Sequence, residues 1–356
     1  MAIAATGAVS FSDLRSEFVG GSSAISYSDL YRGGSNIRAK AANNTGVNLA
    51  ASVPTSGTIN ITNFRSQAKG FKFTFSSTAT DQNASALFGS DYSVNYPKEI
   101  VINSGVELGA TSTTEEALEI DSGGAGTITV TNNGTLTGAG GGVGAAGGDA
   151  FEAAVNCTFV NNGTVRAGGG GGGAGGNGGG GSYSSSSQTG NGTSNYWTVS
   201  RWWRIEGYYG GNGGFDGYNF GVSANQTSKS AGSSVYYRGN YVQSMDGVQY
   251  YYIYRVTNNT YSTNGGAGGS GAVGAGYNQS AGSGSSGSGG GTNAGTGGAG
   301  GNGGAFGAAG SSGGTGTNGN ASNGSSGAAG GASGAYLRGL SFVTFTNNGT
   351  AQGSTA

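Results

Sequence analysis

The segment 182–263 holds the side chains best suited to binding. It contains all 3 tryptophans and 13 of the 19 tyrosines of the chain, set among serine, glycine and asparagine. Tyrosine offers broad amphipathic contact at small entropic cost, and aromatic faces stack on sugar rings or partner side chains. The alternative is that these aromatics form the core of a small β insert, and we expect both roles. The candidate contact residues are Tyr196, Trp197, Trp202, Trp203, Tyr208, Tyr209, Tyr250 and Tyr252, with Arg201 and Arg204 as polar contacts.

Residues for catalysis and metal binding are scarce. The chain has no histidine and a single cysteine, Cys157, which excludes nucleophilic sites built on histidine, an internal disulfide and cysteine-cluster zinc sites. Cys157 lies in an apolar stretch that indicates a buried strand rather than a reactive thiol. The carboxylates of the aromatic segment, Glu206, Asp216 and Asp246, are scattered, although a pair of them satisfies the minimum for glycoside hydrolysis in principle. We predict a non-enzymatic protein without cofactor or metal.

The charge of the chain argues against an electrostatic partner. Charged residues make up 9% of the sequence and the net charge is -1, so nucleic acid is not expected as a partner. The opening MAIAATGAVSFSDL has neither a basic segment nor a long apolar core, so no secretory signal is expected. No stretch reaches the length of a membrane span. A chain of this kind fits assembly into a larger particle.

Glycine tracts with a period of three flank the aromatic segment and must position it. The clearest, GGAGGNGGAFGA, runs from Gly297 to Ala308. Collagen is excluded because the chain has 2 prolines, and 3₁₀ runs are short. Polyproline II helices lack internal hydrogen bonds, so they must pair with neighbours. We therefore predict a bundle of polyglycine II helices rather than the flexible linker that such composition usually indicates. The phase recurs in 138–147, 172–179, 265–269, 284–290, 310–319 and 324–330.

Alternating apolar residues predict β-strands in two regions. From 71 to 137 the stretches FKFTFSS, EIVINSGVEL, ALEIDSGG and TITVTNNGTL have a period of two. The phrase Asn-Asn-Gly-Thr at 132–135, 161–164 and 347–350 marks places where a strand turns. In the aromatic segment, two alternating stretches flank Met245-Asp246-Gly247, which predicts a hairpin. The expected fold is mostly β and polyglycine II.

Residues 1–70 contain three related phrases, VSFSDLRSEFVGG, ISYSDLYRGG and INITNFRSQAKG. Ser-x-x-Asp in the first two predicts capping boxes that open short helices. The apolar faces of such helices must dock on each other or on a partner, since one or two turns are not stable alone. The phrases resemble a segment near the N-termini of phage virion and tail proteins, which implies virion attachment. The residues assigned to attachment are Phe11, Leu14, Phe18, Tyr27, Leu30 and Tyr31.

The glycine tracts interrupted by an aromatic insert resemble the adhesin that caps the long tail fibre of T-even-type phages. The resemblance implies a polyglycine II sandwich whose connecting loops contact a glycan or outer-membrane protein of the host, and a location in the virion. It implies other tail or fibre subunits as partners, with the chain as a homotrimer or as a single cap on a trimeric fibre. The expected units are an attachment module at 1–70, a β region at 71–137 and the sandwich at 138–356, with its insert at 182–263. The alternatives are a structural virion protein, an ice-binding protein and a polysaccharide depolymerase.

Overall fold

The chain folds mostly into β-strands, as the sequence predicts. The computed structural model describes residues 3–20, 24–34, 36–189, 196–200, 228–231, 234–245 and 248–356. In these ranges the α-helices are α1 (Phe11–Leu14) and α2 (Ala84–Phe88), neither of which has the length to span a membrane. A π-turn covers Arg15–Val19, and 3₁₀ turns cover Tyr27–Leu30, Ile61–Phe64, Gly89–Asp91 and Leu340–Phe342. The strands are β1 (Val47–Asn48), β2 (Phe71–Phe75), β3 (Ala79–Thr80), β4 (Gln82–Asn83), β5 (Lys98–Ile102), β6 (Glu107–Gly109), β7 (Leu118–Ile120), β8 (Ile128–Asn132), β9 (Thr135–Thr137), β10 (Phe151–Ala153), β11 (Cys157–Asn161), β12 (Thr164–Arg166), β13 (Gly181–Thr189), β14 (Tyr196–Ser200), β15 (Ser228–Ala231), β16 (Ser234–Met245), β17 (Val248–Thr263), β18 (Ala335–Leu337), β19 (Val343–Asn347), β20 (Thr350–Gln352) and β21 (Ser354–Thr355).

Capping boxes open the helical turns of the N-terminal phrases. The Ser10 N–H donates to Asp13 Oδ2 at 2.7 Å, and the Asp13 N–H donates to Ser10 Oγ at 3.3 Å. In the second phrase the Ser26 N–H donates to Asp29 Oδ2 at 2.7 Å. Asn60 takes the place of serine in the third phrase and forms the same kind of box. These hydrogen bonds confirm the predicted Ser-x-x-Asp caps. Each cap supplies acceptors for backbone N–H groups that the first turn of a helix leaves without partners.

These turns enclose a core of their own, which corrects part of the assignment to virion attachment. Leu14, Phe18 and Leu30 are completely buried together with Phe64. The rings of Phe18 and Phe64 lie 5.7 Å apart between centroids. The apolar faces were expected to dock either on each other or on a partner subunit. These three side chains dock on each other, so they are not accessible to a partner.

The other attachment candidates lie nearer the surface. Phe11 is 42% exposed. Tyr31 is half-buried, and its hydroxyl donates to the carbonyl of Gly57. The side chain of Tyr27 lies outside the described residues. Any contact of this module with another subunit therefore has to use residues other than the buried three.

Asp91 fastens the N-terminal module to the β region. Its carboxylate is completely buried and accepts from Arg38 Nε at 2.9 Å, from the Ala41 N–H at 2.7 Å and from Asn44 Nδ2 at 3.0 Å. Burial raises the pKa of this carboxyl group, but the three hydrogen bonds and the charge of Arg38 outweigh that effect and hold the pKa below its ordinary value. The ionised form of Asp91 is therefore the one that stabilises the fold.

Replacing Asp91 by asparagine is expected to lower the free energy of unfolding at pH 7 by about 2 kcal/mol, since an amide supplies a donor where three donors converge. Because the folded pKa is depressed, the contribution of Asp91 is present above the ordinary carboxyl pKa of about 3.9 and is lost as the pH falls through the folded value. Urea unfolding at pH 7 and pH 3 measures both effects. An equal loss of stability on acidification in wild type and in Asp91→Asn would contradict this role.

Residues 71–166 wind into a parallel three-sided solenoid, a coil of β-strands in which each turn of chain stacks on the one before. One sheet runs β2-β5-β8-β11, a second runs β3-β6-β9-β12 and a third runs β4-β7-β10, all paired in parallel. Parallel strands require a crossover, which here is the rest of each turn. Phe71 and Phe75 of the first turn and Ile128 and Val130 of the third point inward and are buried. The predicted alternation therefore defines the inside of the solenoid.

The phrase Asn-Asn-Gly-Thr occupies one corner of the solenoid. It joins β8 to β9, β11 to β12 and β19 to β20, so the chain turns there into the neighbouring sheet instead of folding back as a hairpin. A Cβ on Gly134 would lie 2.2 Å from the Val106 carbonyl oxygen, and one on Gly163 would lie 2.1 Å from the Gly134 carbonyl oxygen. Glycine is therefore required at this corner because successive turns stack backbone against backbone.

The C-terminal strands complete the solenoid after a long insertion. β19 pairs in parallel with β11, with Phe345 opposite Phe159, and β20 pairs with β12. β18 pairs with β21, and a bridge links Glu152 to Arg338. Residues 151–166 and 343–352, which were expected to form part of the sandwich at 138–356, thus belong to the sheets of the solenoid, and β18 and β21 form a two-stranded sheet of their own. The segment between β12 and β18 is inserted into one of its turns.

Six glycine tracts in this insertion lie side by side and are joined by backbone hydrogen bonds. The N–H groups of Gly172, Gly175 and Gly178 donate to one neighbouring tract, at Ala272 (2.7 Å), Gly269 (2.8 Å) and Gly266 (2.8 Å). The next residues in each triplet, Gly173, Gly176 and Gly179, donate to another tract, at Ser311, Gly314 and Thr317, each at 2.9 Å. Consecutive amides therefore point to different neighbours with a period of three. The tracts cover 168–180, 264–276, 281–291, 294–305, 308–319 and 322–334.

Candidate binding surface

Three chain connections meet at the end of the glycine tracts that is remote from the solenoid, and we call this end the distal tip. They are the aromatic segment between 180 and 264, the loop 291–294 and the loop 319–322. The two loops touch, since the Asn320 N–H donates to the Asn293 carbonyl at 3.0 Å. The distal tip therefore gathers segments that are more than a hundred residues apart in sequence.

The opposite connections of the tracts rest on the solenoid. The ring of Tyr277, in the connection 276–279, occupies the place of a side chain at Gly109, where a Cβ would lie 2.1 Å from it. The Arg166 guanidinium lies 3.9 Å from the ring centroid of Phe306 and pairs with Glu107 at 3.0 Å. A cation over an aromatic face and a half-buried ion pair fix this junction. The tip therefore projects from a supported base.

The aromatic segment forms an antiparallel sheet around one long strand. β13 and β14 pair along one edge of β17, β16 pairs along the other, and β15 lies beyond β16. β16 and β17 form the predicted hairpin, in which Met245 pairs with Val248. The turn residues Asp246 and Gly247 lie outside the described residues. We call this unit the aromatic sheet.

Four of the residues predicted to contact a ligand lie on adjacent strands of the aromatic sheet. Tyr196 of β14 is opposite Tyr252 of β17, and two positions along Thr198 is opposite Tyr250. Trp197 pairs with Tyr251 between them. The backbone thus brings Tyr196, Trp197, Tyr250 and Tyr252 together. The other predicted contacts, Arg201, Trp202, Trp203, Arg204, Tyr208 and Tyr209, lie outside the described residues.

A tyrosine pair that the sequence does not single out stands at the base of the aromatic sheet. Tyr183 and Tyr261 are paired in register, and their rings stack with centroids 5.3 Å apart and an angle of 22°. They are 37% and 44% exposed. Each lies within three residues of a glycine tract, at the start and the end of the segment, and this symmetry is the signal that identifies them. An exposed aromatic stack supplies a flat apolar face for contact.

The two loops of the distal tip offer hydrogen-bonding groups and carry no ionisable side chain. The loops 291–294 and 319–322 carry Thr292, Asn293, Asn320 and Ser322, all neutral. Perturbed pKa values lie in the N-terminal module and the solenoid instead: hydrogen bonds from Ser10 lower the pKa of Asp13, and burial, followed by the neighbouring Glu152, raises the pKa of Glu116 to about 7. In the described ranges no group of three histidine, cysteine or acidic side chains is arranged to hold a metal. The tip is therefore equipped for binding through amides, hydroxyls and aromatic faces.

Two buried polar side chains of the solenoid, Lys98 and Cys157, have structural roles. Lys98 donates to the carbonyls of Val94 at 2.8 Å, Tyr96 at 3.0 Å and Ala125 at 2.6 Å, and burial lowers its pKa to about 8. Cys157 is buried as predicted, and burial raises the pKa of its thiol to about 12. A protonated, buried thiol is a poor nucleophile. Both groups therefore serve the fold.

Comparison with known proteins points to one family. A family model described as phage tail fibre adhesin Gp38 matches residues 57–252, which is more than half of the 356 residues. No curated protein matches the chain. A solved structure, the gp37–gp38 adhesin tip complex of the bacteriophage S16 long tail fiber, is similar over 85% of this chain and 88% of the other, with 16% sequence identity and a TM-score of 0.35.

Proposed function

The chain belongs to the phage tail fibre adhesin Gp38 family and is a tail-fibre component of the virion, and we propose that it recognises a bacterial surface receptor by non-catalytic binding. The receptor class is a surface glycan or an outer-membrane protein. The binding surface is the distal tip, which consists of the aromatic sheet with the loops 291–294 and 319–322. Several copies on one particle multiply weak individual contacts into firm attachment.

The observation that carries this proposal is the convergence of aromatic strands and polar loops at one end of the insertion. Tyr196 of β14 is paired with Tyr252 of β17, and β17 runs directly into a glycine tract. Beside the base of the aromatic sheet, the loops 291–294 and 319–322 carry neutral polar side chains, among them the exposed Thr292. Aromatic faces flanked by amides and hydroxyls suit sugars and protein loops alike, because both present apolar patches bordered by polar groups. A charged receptor is not required.

The glycine tracts are proposed to be polyglycine II helices that act as a rigid support. Their amides bond to different neighbours with a period of three, which is the pattern expected of threefold helices without internal hydrogen bonds. A Cβ on Gly175 would lie 2.1 Å from the Gly298 carbonyl oxygen, so only glycine permits this approach. A support of this kind holds the tip in place before binding, and less entropy is lost when the receptor is engaged.

Attachment to the rest of the fibre is proposed to occur through residues 1–70. The module is anchored to the solenoid by Asp91, so a subunit that holds the module also holds the tip. With Leu14, Phe18 and Leu30 in its core, the accessible candidates are Phe11 and Tyr31. The partners are other tail or fibre subunits, with the chain present as a homotrimer or as a single cap.

Replacing Trp202 and Trp203 by alanine is expected to weaken binding to intact bacteria at least about 30-fold, because an aromatic hot spot contributes about 2 kcal/mol or more. The measurement is cosedimentation of the labelled full chain with a panel of Gram-negative strains. Phe342→Ala is the matched control, since this aromatic residue is 42% exposed but lies on the solenoid. Equal binding by wild type and the double variant would count against the aromatic segment as the binding site.

A further inference from the structure

Two asparagines of the distal loops hold Ser182, the second residue of β13, from two sides. Asn320 Oδ1 accepts from the Ser182 N–H at 2.7 Å, and Asn320 Nδ2 donates to the Ser182 carbonyl at 2.9 Å. Asn293 Nδ2 donates to the same carbonyl at 3.0 Å. The N–H and the carbonyl of Ser182 are therefore both bound by side chains of the loops 291–294 and 319–322. We call Asn293 and Asn320 the asparagine clamp.

The opposite edge of the sheet base is held as well. Ser182 pairs with Ser262 across β13 and β17. The next residue of β17, Thr263, donates its hydroxyl to the Thr292 carbonyl at 2.6 Å, and the Gly291 N–H donates to the Asn264 carbonyl at 3.0 Å. Both strands that leave the glycine tracts are therefore tied to the loop 291–294. A sheet joined to its support only by the two covalent connections would be free to swing about them.

The residue type at 293 is set by two requirements. Asn293 has φ of 60°, a left-handed conformation that asparagine tolerates better than most residues other than glycine. Glycine would satisfy the backbone but would remove the amide that reaches Ser182. Asparagine satisfies both the backbone and the clamp. Because the Asn320 N–H also donates to the Asn293 carbonyl at 3.0 Å, the two clamp residues support each other.

We propose that Asn293 and Asn320 are positioning residues, which fix the orientation of the aromatic sheet on the distal tip and make the sheet and the two loops one binding unit. This inference rests on the proposed function in that the orientation matters for receptor binding. The clamp acts through the sheet. Its loss is therefore expected to reduce affinity by releasing the sheet, since ordering a mobile segment on binding costs free energy that a preorganised one does not lose.

The test uses the full chain with Asn293→Asp and Asn320→Asp, singly and together. Aspartate keeps the shape and tolerates the left-handed backbone, but each change replaces a donor to the Ser182 carbonyl by a second acceptor. Hydrogen exchange of the amides in 182–186 and 258–263 is expected to accelerate, while exchange in the glycine tracts is unchanged. Binding to the bacterial strain that cosediments with the wild-type chain is expected to fall about tenfold in the double variant.

Asn318→Asp is the matched control. Its amide oxygen accepts from the Gly324 N–H at 3.0 Å, and aspartate retains this bond. The variant therefore adds one negative charge near the tip, as each single clamp variant does, without opening the clamp. An equal loss of binding in Asn318→Asp would overturn the proposal in favour of a charge effect. Unchanged binding with accelerated exchange at the sheet base would also overturn it. A wild-type chain that binds none of the strains would instead refute the proposed function, and the exchange result would still decide whether the clamp holds the sheet.

Discussion

Replacing Gly176 by alanine is expected to lower the free energy of unfolding by about 3 kcal/mol or more, which is at the upper end of the cost of overpacking. A Cβ at this position would lie 1.9 Å from the Ser325 carbonyl oxygen. The Gly176 N–H donates to the Gly314 carbonyl at 2.9 Å, and its own carbonyl accepts from Gly298 at 2.8 Å. Every direction around this residue is thus taken by a neighbouring backbone, and the tracts must separate to admit a methyl group.

The matched control is Gly289→Ala, also within a glycine tract. No atom lies within 4 Å of a Cβ built at Gly289. Alanine there is expected to be neutral or to stabilise the chain by about 0.5 kcal/mol, because it restricts the unfolded state. Urea unfolding and limited proteolysis of both variants give the comparison. If Gly176→Ala unfolds like wild type and 282–335 is cleaved rapidly in both, the tracts are linkers and the packed bundle is refuted.

Replacing Asn161 by alanine is expected to cost about 3 kcal/mol, since it removes three hydrogen bonds of a completely buried side chain and each contributes about 1 kcal/mol. Asn161 is completely buried and lies in the middle of a ladder through three turns of the solenoid. Its Oδ1 accepts from Asn132 Nδ2 at 2.8 Å, and its Nδ2 donates to Asn347 Oδ1 at 2.7 Å and to the Thr350 carbonyl at 3.1 Å. Alanine removes these bonds at a position that is completely buried from solvent, so bulk water does not replace them.

The neighbouring residue gives the control for this prediction. Asn162 forms a second ladder, accepting from Asn348 Nδ2 at 2.9 Å and donating to Asn133 Oδ1 at 3.0 Å, but it is exposed to solvent. Asn162→Ala is expected to cost less than about 1 kcal/mol, because water replaces the lost partners. Thermal and urea unfolding of the two variants measure the difference. Equal losses would mean that the ladders contribute through strand geometry rather than through buried hydrogen bonds.

Local features of the fold were predictable because they depend on neighbouring residues. The Ser-x-x-Asp caps at Ser10 and Ser26 and the alternation in Phe71–Phe75 follow from contacts a few positions apart. The closure of the solenoid was not predictable in this way. Asn161 bonds to Asn347, 186 positions away. The phrase Asn-Asn-Gly-Thr begins at both residues and marks a turn at each, but it does not indicate that the two turns are adjacent in space.

The residues of the proposed binding surface were accessible from the sequence in the same uneven manner. The composition of 182–263 identified the aromatic strands, and the pairing of Tyr196 with Tyr252 agrees with a shared surface. The buried positions of Leu14, Phe18 and Leu30 were not distinguishable from docking positions, because an apolar face looks the same whether it is covered by its own chain or by a partner. The clamp residues Asn293 and Asn320 carry no local signal, since asparagine is common at turns for backbone reasons alone.

The glycine tracts are also expected to give this protein an unusual temperature dependence. Unfolding of an ordinary core exposes apolar surface and raises the heat capacity, whereas exposure of peptide groups lowers it. The tracts bury mainly backbone amides, each bonded to a neighbour, so their unfolding contributes little to the heat capacity change or contributes with the opposite sign. The stability curve of this part of the molecule is therefore flat, and it does not weaken on cooling as a hydrophobic core does. An adhesin supported in this way is expected to keep its support folded in cold as well as in warm surroundings.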